Sequence, residues 1–576
     1  MSNTEVVKVH GGPGCGKTTT LVGNTDIDDF KGIIQRRFEE EPVNETMLIA
    51  YTRAAADEAK GRLSQLTDIT KATLDNRITT IHSLAMSFQS LRPDNIVEIR
   101  EHNYGKPNDY QNFCNQKGLD YHTGGDDDDD IMAADGDEGH VFFRINSWLK
   151  SNMMNATEWE QCPVAGDWPH GDDFVDYALD WIQYKNQRGI HEFDDAIQMC
   201  VEQGRTVDSS HLFVDELQDL YPLQQAFLDN HFGEVDRIWV AGDADQTIYE
   251  WSGANPEYFL NLEAKVDELD EKYWDDKAGY WDDEGVYILD QSWRMPNEVL
   301  KLAKSCISRV GERQDKELKP HHDGGEIHAY RFPSPSDIID HINHDDTFIL
   351  FRANYQANEF GKELIWNGIP FEDRFRTWRE EVVQLRDGLA AVKHNDPEVD
   401  GSDAARVIRE LPNHQLNQPN ERDSTARSFS ARDTVDTQEL VDATRLSMPG
   451  SDAQFRSWLT EFENRNYYQK EAVHNNLRYD NEHLDPEGVT LETIHWSKGR
   501  EADTVILSLN TTGTVMENMI GGGLNDAERR LYFVGMTRTE NNLVLAENLH
   551  DESPSINMHT LFGEDWQENH DYEDGL

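Results

Sequence analysis

Hydrophobic and polar positions along this chain fall into strand-like runs separated by helical periods. Val6-Val7-Lys8-Val9-His10 reads as a short strand that runs directly into a glycine-rich turn. Met47-Leu48-Ile49-Ala50-Tyr51 reads as another strand, followed by a helix through Ala54–Leu63. Between about 91 and 205 the pattern weakens. Strand signals return at Leu212-Phe213-Val214 and at Ile238-Trp239-Val240-Ala241. A Trp/Asp-rich, hairpin-like segment at 273–285 then leads into a strand at Val286–Leu289. A further α/β stretch covers 347–371. From about 375 to 485 the chain is polar, rich in Asn, Asp and Arg, and helical in parts. Val505-Ile506-Leu507-Ser508-Leu509 and Leu543-Val544-Leu545 read as closing strands. This pattern predicts two α/β units, each interrupted by an insertion, without an internal sequence repeat.

Length and charge sharpen the picture. At 576 residues the chain exceeds one compact core, and about four units are expected. The formal net charge is −57, with 28% charged and 37% hydrophobic residues. Acidity of this degree ordinarily reads as disorder or as repulsion from nucleic acid. Fourteen Trp and 23 Phe argue against disorder, because such side chains build cores. The reading that reconciles the two is a protein of an extreme halophile, with an acidic surface solvated in molar salt and Arg preferred to Lys. Gly124-Gly125 followed by Asp126–Asp130 is read as a solvated acidic loop. Five cysteines (15, 114, 162, 200 and 306) form no CxxC pair, which disfavours a zinc finger, an iron–sulfur cluster and a disulfide framework. The start shows no basic n-region or apolar h-region, and no 18-residue apolar run follows, so a cytoplasmic protein is expected.

The strongest chemical signal lies at the first turn. Gly11-Gly12-Pro13-Gly14-Cys15-Gly16-Lys17-Thr18 fits G-x-x-x-x-G-K-[ST], follows a strand and opens a helix that takes in Thr19. Glycines let backbone N–H groups wrap phosphates, Lys17 neutralises the β/γ oxygens, and the Thr18 hydroxyl ligates Mg²⁺. Phe213-Val214-Asp215-Glu216 supplies the acidic pair such a site needs: Asp215 for the metal and Glu216 to polarise water.

Further segments follow in a fixed order. They are Ala50-Tyr51-Thr52-Arg53-Ala54-Ala55-Ala56, Thr80-Ile81-His82-Ser83-Leu84, Val214-Asp215-Glu216-Leu217-Gln218-Asp219 and the stretch from Gly242 through Asp245-Gln246-Thr247-Ile248-Tyr249-Glu250-Trp251-Ser252-Gly253-Ala254. After them come Ser292-Trp293-Arg294, then Phe351-Arg352-Ala353-Asn354 with Gly368-Ile369-Pro370-Phe371. The series closes with Thr493-Ile494-His495-Trp496-Ser497-Lys498-Gly499-Arg500-Glu501 and Glu528-Arg529-Arg530 through Thr537-Arg538. In this order the chain resembles the UvrD/Rep/PcrA-like DNA helicases of superfamily 1A. The resemblance implies two RecA-like P-loop domains with parallel sheets flanked by helices: 1A at 1–90 and 206–290, and 2A at 291–374 and 486–576. These would be interrupted by 1B at 91–205 and a reduced 2B at 375–485.

By the same resemblance ATP and Mg²⁺ bind between the two α/β domains. Gln246 senses the γ-phosphate, and Arg294 and Arg538 of the second domain stabilise its charge. Trp293 stacks on adenine, and Glu501 accepts from the ribose. Tyr51, Tyr249 and Trp251 stack on bases, while Thr52, His82, Arg352, Asn354, Thr493 and His495 touch the DNA strand. The implied partners are single-stranded DNA and 3′-tailed duplex, and the implied activity is a 3′→5′ helicase or translocase. A translocase that strips proteins without separating strands, an RNA-directed motor and an inactive binding module are the alternatives. Three departures stand out: no Gln among the ten residues before Gly11, Ser252 where the family has Arg, and Arg500 within T-x-H-x-x-K-G-L-E. The short acidic stretch after the last motif implies that no nuclease domain is attached.

Overall fold

The computed structural model describes the chain except residues 1–3, 26–29, 99–108, 122–136, 267–278, 315, 332, 344, 368, 370, 374–379, 446–458, 460–469, 471–472, 475–476, 478–487, 523, 551–552 and 564–576. The acidic run 126–130, Gly368, Pro370, the start of the 273–285 segment and the acidic end of the chain lie outside the described residues. Two compact units emerge, one of residues 1–325 and 522–537, the other of 326–521 and 538–576.

In the first unit, seven strands form one sheet: β1 (Glu5–Gly11), β2 (Thr46–Ile49), β3 (Ile78–Thr79), β4 (His211–Val214), β5 (Arg237–Gly242), β6 (Tyr280–Trp281) and β7 (Val286–Leu289). Their order is β3-β2-β4-β5-β1-β7-β6, parallel throughout except for the β6–β7 hairpin. β4 and β5 are sealed on both faces by apolar residues, which is why they read as unbroken hydrophobic runs, whereas β1 sends Val7 and Val9 into one core and buries the polar Lys8 and His10 on its other face. The weak pattern between 91 and 205 resolves into helices, among them Asp109–Lys117, Glu138–Ser151 and Asp173–Arg188. An aromatic core that includes Phe113, Phe142, Phe174 and Trp181 holds them together.

In the second unit the chain runs through β8 (Glu326–Tyr330), β9 (Thr347–Phe351) and β10 (Glu372–Asp373). It then passes the small antiparallel pair β11 (Glu398–Asp400) and β12 (Thr434–Asp436), and ends with β13 (Val489–Thr493), β14 (Ala502–Ser508) and β15 (Thr539–Ala546). The main sheet has the order β10-β13-β9-β14-β15-β8 and is parallel at every pairing. The polar stretch after β10 forms helices Glu380–His394, Gly401–Glu410, Arg422–Ser430 and Thr437–Ala443 around their own apolar cluster. The architecture is that of two RecA-like α/β units.

Segment 291–325 differs from the sequence-based division, which gave it to the second α/β unit. It packs with the first unit, because Met295, Leu300 and Leu318 join the core under β1 and β7. Helix Asn297–Ile307 lies against helix Asp526–Met536, where the Cys306 thiol donates to the Arg529 carbonyl oxygen at 3.7 Å. Among the described residues no helix is long and apolar enough to cross a membrane. All five cysteines are free and buried.

Candidate nucleotide site

β1 ends at Gly11, and the chain turns through Gly12–Gly16 into helix Lys17–Val22. Gly14 and Gly16 hold φ of +68° and +79°, a left-handed backbone that glycine adopts without penalty. A Cβ at Gly14 would also stand 2.7 Å from the Cβ of Arg294. Lys17 is buried; its Nζ donates to the Gly11 carbonyl at 3.2 Å and lies 3.9 Å from Glu216 Oε1. Thr18 Oγ1 donates to Asp215 Oδ2 at 2.7 Å.

Asp215 and Glu216 follow β4, and the Asp215 backbone N–H extends the ladder to the Ile49 carbonyl. Burial, and then the Glu216 charge, push the Asp215 carboxyl up to about 6. The Thr18 hydroxyl and the Asp215 carboxylate offer oxygen donors of the kind that would suit Mg²⁺, with Glu216 beside them. Glu216 sits at φ +54°, uncommon for a side-chain-bearing residue, and Gln218 Nε2 donates to its Oε2 at 2.6 Å. The other end of that amide, Gln218 Oε1, accepts from the Asp243 N–H at 3.0 Å, so one glutamine ties the end of β4 to the end of β5.

Gln246 lies just beyond β5, and its Nε2 donates to Asp243 Oδ2 at 2.8 Å. Burial works against the Asp243 charge, but Lys316 beside it holds the carboxyl well below the usual range. Ser292 Oγ donates to the Pro13 carbonyl at 3.1 Å and the Trp293 N–H to the Gly14 carbonyl at 2.8 Å, which pins this segment to the glycine-rich loop. Arg294 therefore sits in the first unit beside the loop, not in the second as the sequence reading had it; its Nη1 donates to the Thr537 carbonyl at 3.1 Å. The Trp293 ring is 60% exposed, whereas Cys15 is buried and its thiol is pushed up to about 12 by that burial. P-loop glycines, Lys17, Thr18, Thr19, Asp215, Glu216, Gln246, Trp293 and Arg294 thus all belong to one unit.

The aromatic candidates of the first unit also meet. Tyr51 and Tyr249 have ring centroids 5.4 Å apart, and Tyr249 meets Trp251 edge-on at 6.1 Å. Thr52 caps helix Arg53–Leu66 by accepting from the Ala55 N–H at 3.1 Å. His82 Nε2 lies 3.0 Å from the Tyr221 hydroxyl and 3.3 Å from Asp194 Oδ1.

In the second unit, Thr493 pairs in register with Phe351, so Arg352 and Asn354 leave the same carboxyl edge of the sheet as His495. Trp496, next to His495, is 45% exposed. Arg538 is buried, with Nη1 donating to the Arg500 carbonyl at 3.3 Å, and Glu501 is exposed. Arg500, the departure from the family pattern, donates to Glu492 at 2.6 Å and covers the Phe348 ring.

Sequence reasoning missed Arg313 and Lys316, which reach Asp243 and Asp245 from a polar segment lacking any motif. It also gave His10 no role, although its ring lies 3.6 Å from Asp243 within the core.

A strand, glycine-rich turn and helix, with the Thr18–Asp215 pair at the carboxyl end of a parallel sheet, define a P-loop nucleotide-binding protein. Residues 2–267 match the UvrD/REP helicase N-terminal domain and residues 451–549 the UvrD-like helicase C-terminal domain. The chain belongs to the UvrD-like helicase family of superfamily 1A. It is 27% identical over 442 residues to the ATP-dependent DNA helicase UvrD2 of Mycobacterium tuberculosis, covering 69% of this chain and 58% of that protein. It is 24% identical over 471 residues to the ATP-dependent DNA helicase PcrA of Leuconostoc citreum, covering 64% and 59%. With the ATP-dependent DNA helicase Rep of Escherichia coli it shares 25% identity over 218 residues, 34% of this chain and 29% of that one. The chain thus spans somewhat over half the length of the first two relatives.

Proposed function

We propose that the protein hydrolyses ATP and uses the cycle to step 3′→5′ along single-stranded DNA, separating duplex as it goes. The observation that carries the reading is the 2.7 Å bond between Thr18 and Asp215 beside Lys17 and Glu216. Oxygen donors for a metal, a cation for phosphate and a carboxylate for water converge at one turn. Thr18 and Asp215 would hold Mg²⁺, which supplies charge neutralisation on the phosphate oxygens when bound. Lys17 would turn from the Gly11 carbonyl to those oxygens. Glu216, oriented by Gln218, would take the proton of the attacking water.

The family resemblance gives Gln246, Arg294 and Arg538 to the γ-phosphate, Trp293 to adenine and Glu501 to the ribose. Tyr51, Tyr249 and Trp251 offer ring faces on which bases stack whatever their sequence, at about 1–3 kcal/mol per base. Thr52, His82, Arg352, Asn354, Thr493 and His495 are assigned to the strand by the same resemblance. DNA is favoured over RNA because the relatives are named as DNA helicases.

The test compares unwinding of 3′-tailed and 5′-tailed duplexes in molar KCl, with protein displacement and RNA-stimulated ATPase measured in parallel. Unwinding of the 3′-tailed substrate alone supports the reading. Equal use of both tails, or stimulation by RNA only, rejects it.

A further inference from the structure

Between helix Asn297–Ile307 and β8 runs a polar segment that supplies two cations to the interior of the first unit. Lys316 is only 3% exposed at its side chain. It is ion-paired with Asp243 and with Asp245 Oδ2 at 3.1 Å, and its Nζ stands 3.4 Å from His10 Nε2. Arg313 makes a two-pronged contact with Asp245, Nε to Oδ1 at 3.2 Å and Nη2 to Oδ2 at 3.1 Å. His10, Asp243 and Asp245 are all buried.

Stability alone is a poor reason to keep such a cluster. Desolvating a lysine and two carboxylates costs several kcal/mol per ion, which their attraction roughly repays, so an apolar replacement is often no worse. The geometry offers a better reason. Asp243 divides its two oxygens, Oδ1 to Lys316 and Oδ2 to the Gln246 amide at 2.8 Å. A carboxylate clamped by a buried cation on one side cannot rotate, and the amide bonded to its other oxygen is committed with it. Arg313 fixes Asp245, the neighbour of Gln246, in the same manner.

We propose that Lys316, seconded by Arg313, is a positioning residue for Gln246, acting through Asp243 to hold that amide in register with the phosphate site. The inference rests on reading the site as an ATPase with Gln246 facing the γ-phosphate. Lys316 itself touches no nucleotide in this account. Its loss therefore weakens turnover and leaves ATP affinity largely in place.

The experiment uses the full chain with saturating oligo-dT. It measures kcat for ATP hydrolysis and, separately, equilibrium binding of a fluorescent N-methylanthraniloyl-ATP. The variants are Lys316→Met, Arg313→Gln, Gln246→Ala and both pairings with Gln246→Ala. Lys316→Met should lower kcat at least about tenfold, a fraction of what an electrostatic catalytic donor supplies, with analogue affinity changed less than about threefold. Residues acting as a unit are non-additive, so each pairing should be no slower than Gln246→Ala alone. Arg313→Gln, at a side chain 16% exposed against 3% for Lys316, should show the same pattern more weakly and stands in should Lys316→Met fail to fold. Wild-type kcat in either folded variant, or losses that multiply with that of Gln246→Ala, overturn the proposal. A wild-type chain that hydrolyses no ATP overturns the ATPase reading and this inference with it.

Discussion

Glu216 occupies a left-handed backbone at φ +54° that costs a non-glycine residue on the order of 1 kcal/mol. The strain is held by Gln218 on one side and the Asp215 carboxylate on the other, which accepts from the Glu216 N–H at 3.0 Å. The result holds the Glu216 carboxylate 3.9 Å from the Lys17 ammonium, with Asp215 bonded to Thr18. Glu216→Gln keeps that shape and removes the basicity, so ATP hydrolysis should fall by at least about a hundredfold while fluorescent-ATP affinity stays near wild type. Rapid-quench hydrolysis beside an equilibrium titration checks it; turnover within a few fold of wild type would remove Glu216 from its role as base.

At the scale of elements, helix Gly401–Glu410 carries a pH dependence of its own. Burial, followed by the charges of Asp387 and Asp400, pushes the Asp403 carboxyl up to about 7. In the unfolded chain the same group ionises near pH 4. Between those values the folded form binds more protons, so this contribution to stability is greatest below about pH 4, falls as pH rises and is fully lost above about pH 7. Asp403→Asn should flatten the slope. The variant should melt at a higher temperature than wild type at pH 8, and the difference should shrink towards pH 5. A constant difference across that range would contradict the assignment.

Elements of this kind also show what sequence could convey. β4 and β5 were legible because strands buried on both faces carry continuous apolar runs, β1 because Val6, Val7 and Val9 stand directly ahead of a glycine-rich turn, and the P-loop because Gly14 and Gly16 stand where the backbone turns left-handed. The place of 291–325 was not legible, since apolar residues such as Met295, Leu300 and Leu318 do not say which core they join, and Ser292 and Trp293 bond to loop carbonyls that carry no side-chain signature. Lys316 escaped for a related reason. A buried lysine in a run of Glu, Arg, Gln and Asp looks the same as a solvated one until its two carboxylates are seen in space.

For the whole molecule the governing quantity is the charge of −57. In dilute buffer such a chain and DNA repel one another, whereas at roughly 1 M salt the Debye length is only about 3 Å and the repulsion is screened. The base stacking proposed for Tyr51, Tyr249 and Trp251 is short-ranged and would survive. DNA-stimulated ATPase is therefore expected to rise with KCl from about 0.1 M into the molar range, and Trp251→Ala to lose more than removal of any one surface lysine. Activity that peaks near 0.1 M and declines steadily would reject both the salt-adapted surface and the stacking account.

Residues 522–537 return to the first unit although the strands on either side of them belong to the second. No single cut therefore yields two self-sufficient halves. A polypeptide ending at residue 325 keeps helix Asn297–Ile307 but lacks Asp526–Met536, which covers its Cys306 face. It also leaves Glu250 without Arg530, whose Nη1 donates to it at 2.6 Å. Such a half-chain should aggregate when expressed alone and become monodisperse when a synthetic peptide spanning 524–537 is supplied in trans, read by light scattering. The same threading would let a split reporter be built on this protein that reads folding rather than chemistry: the nucleotide-site residues already lie within 1–325, and what the short segment 524–537 restores on meeting that piece is its missing packing.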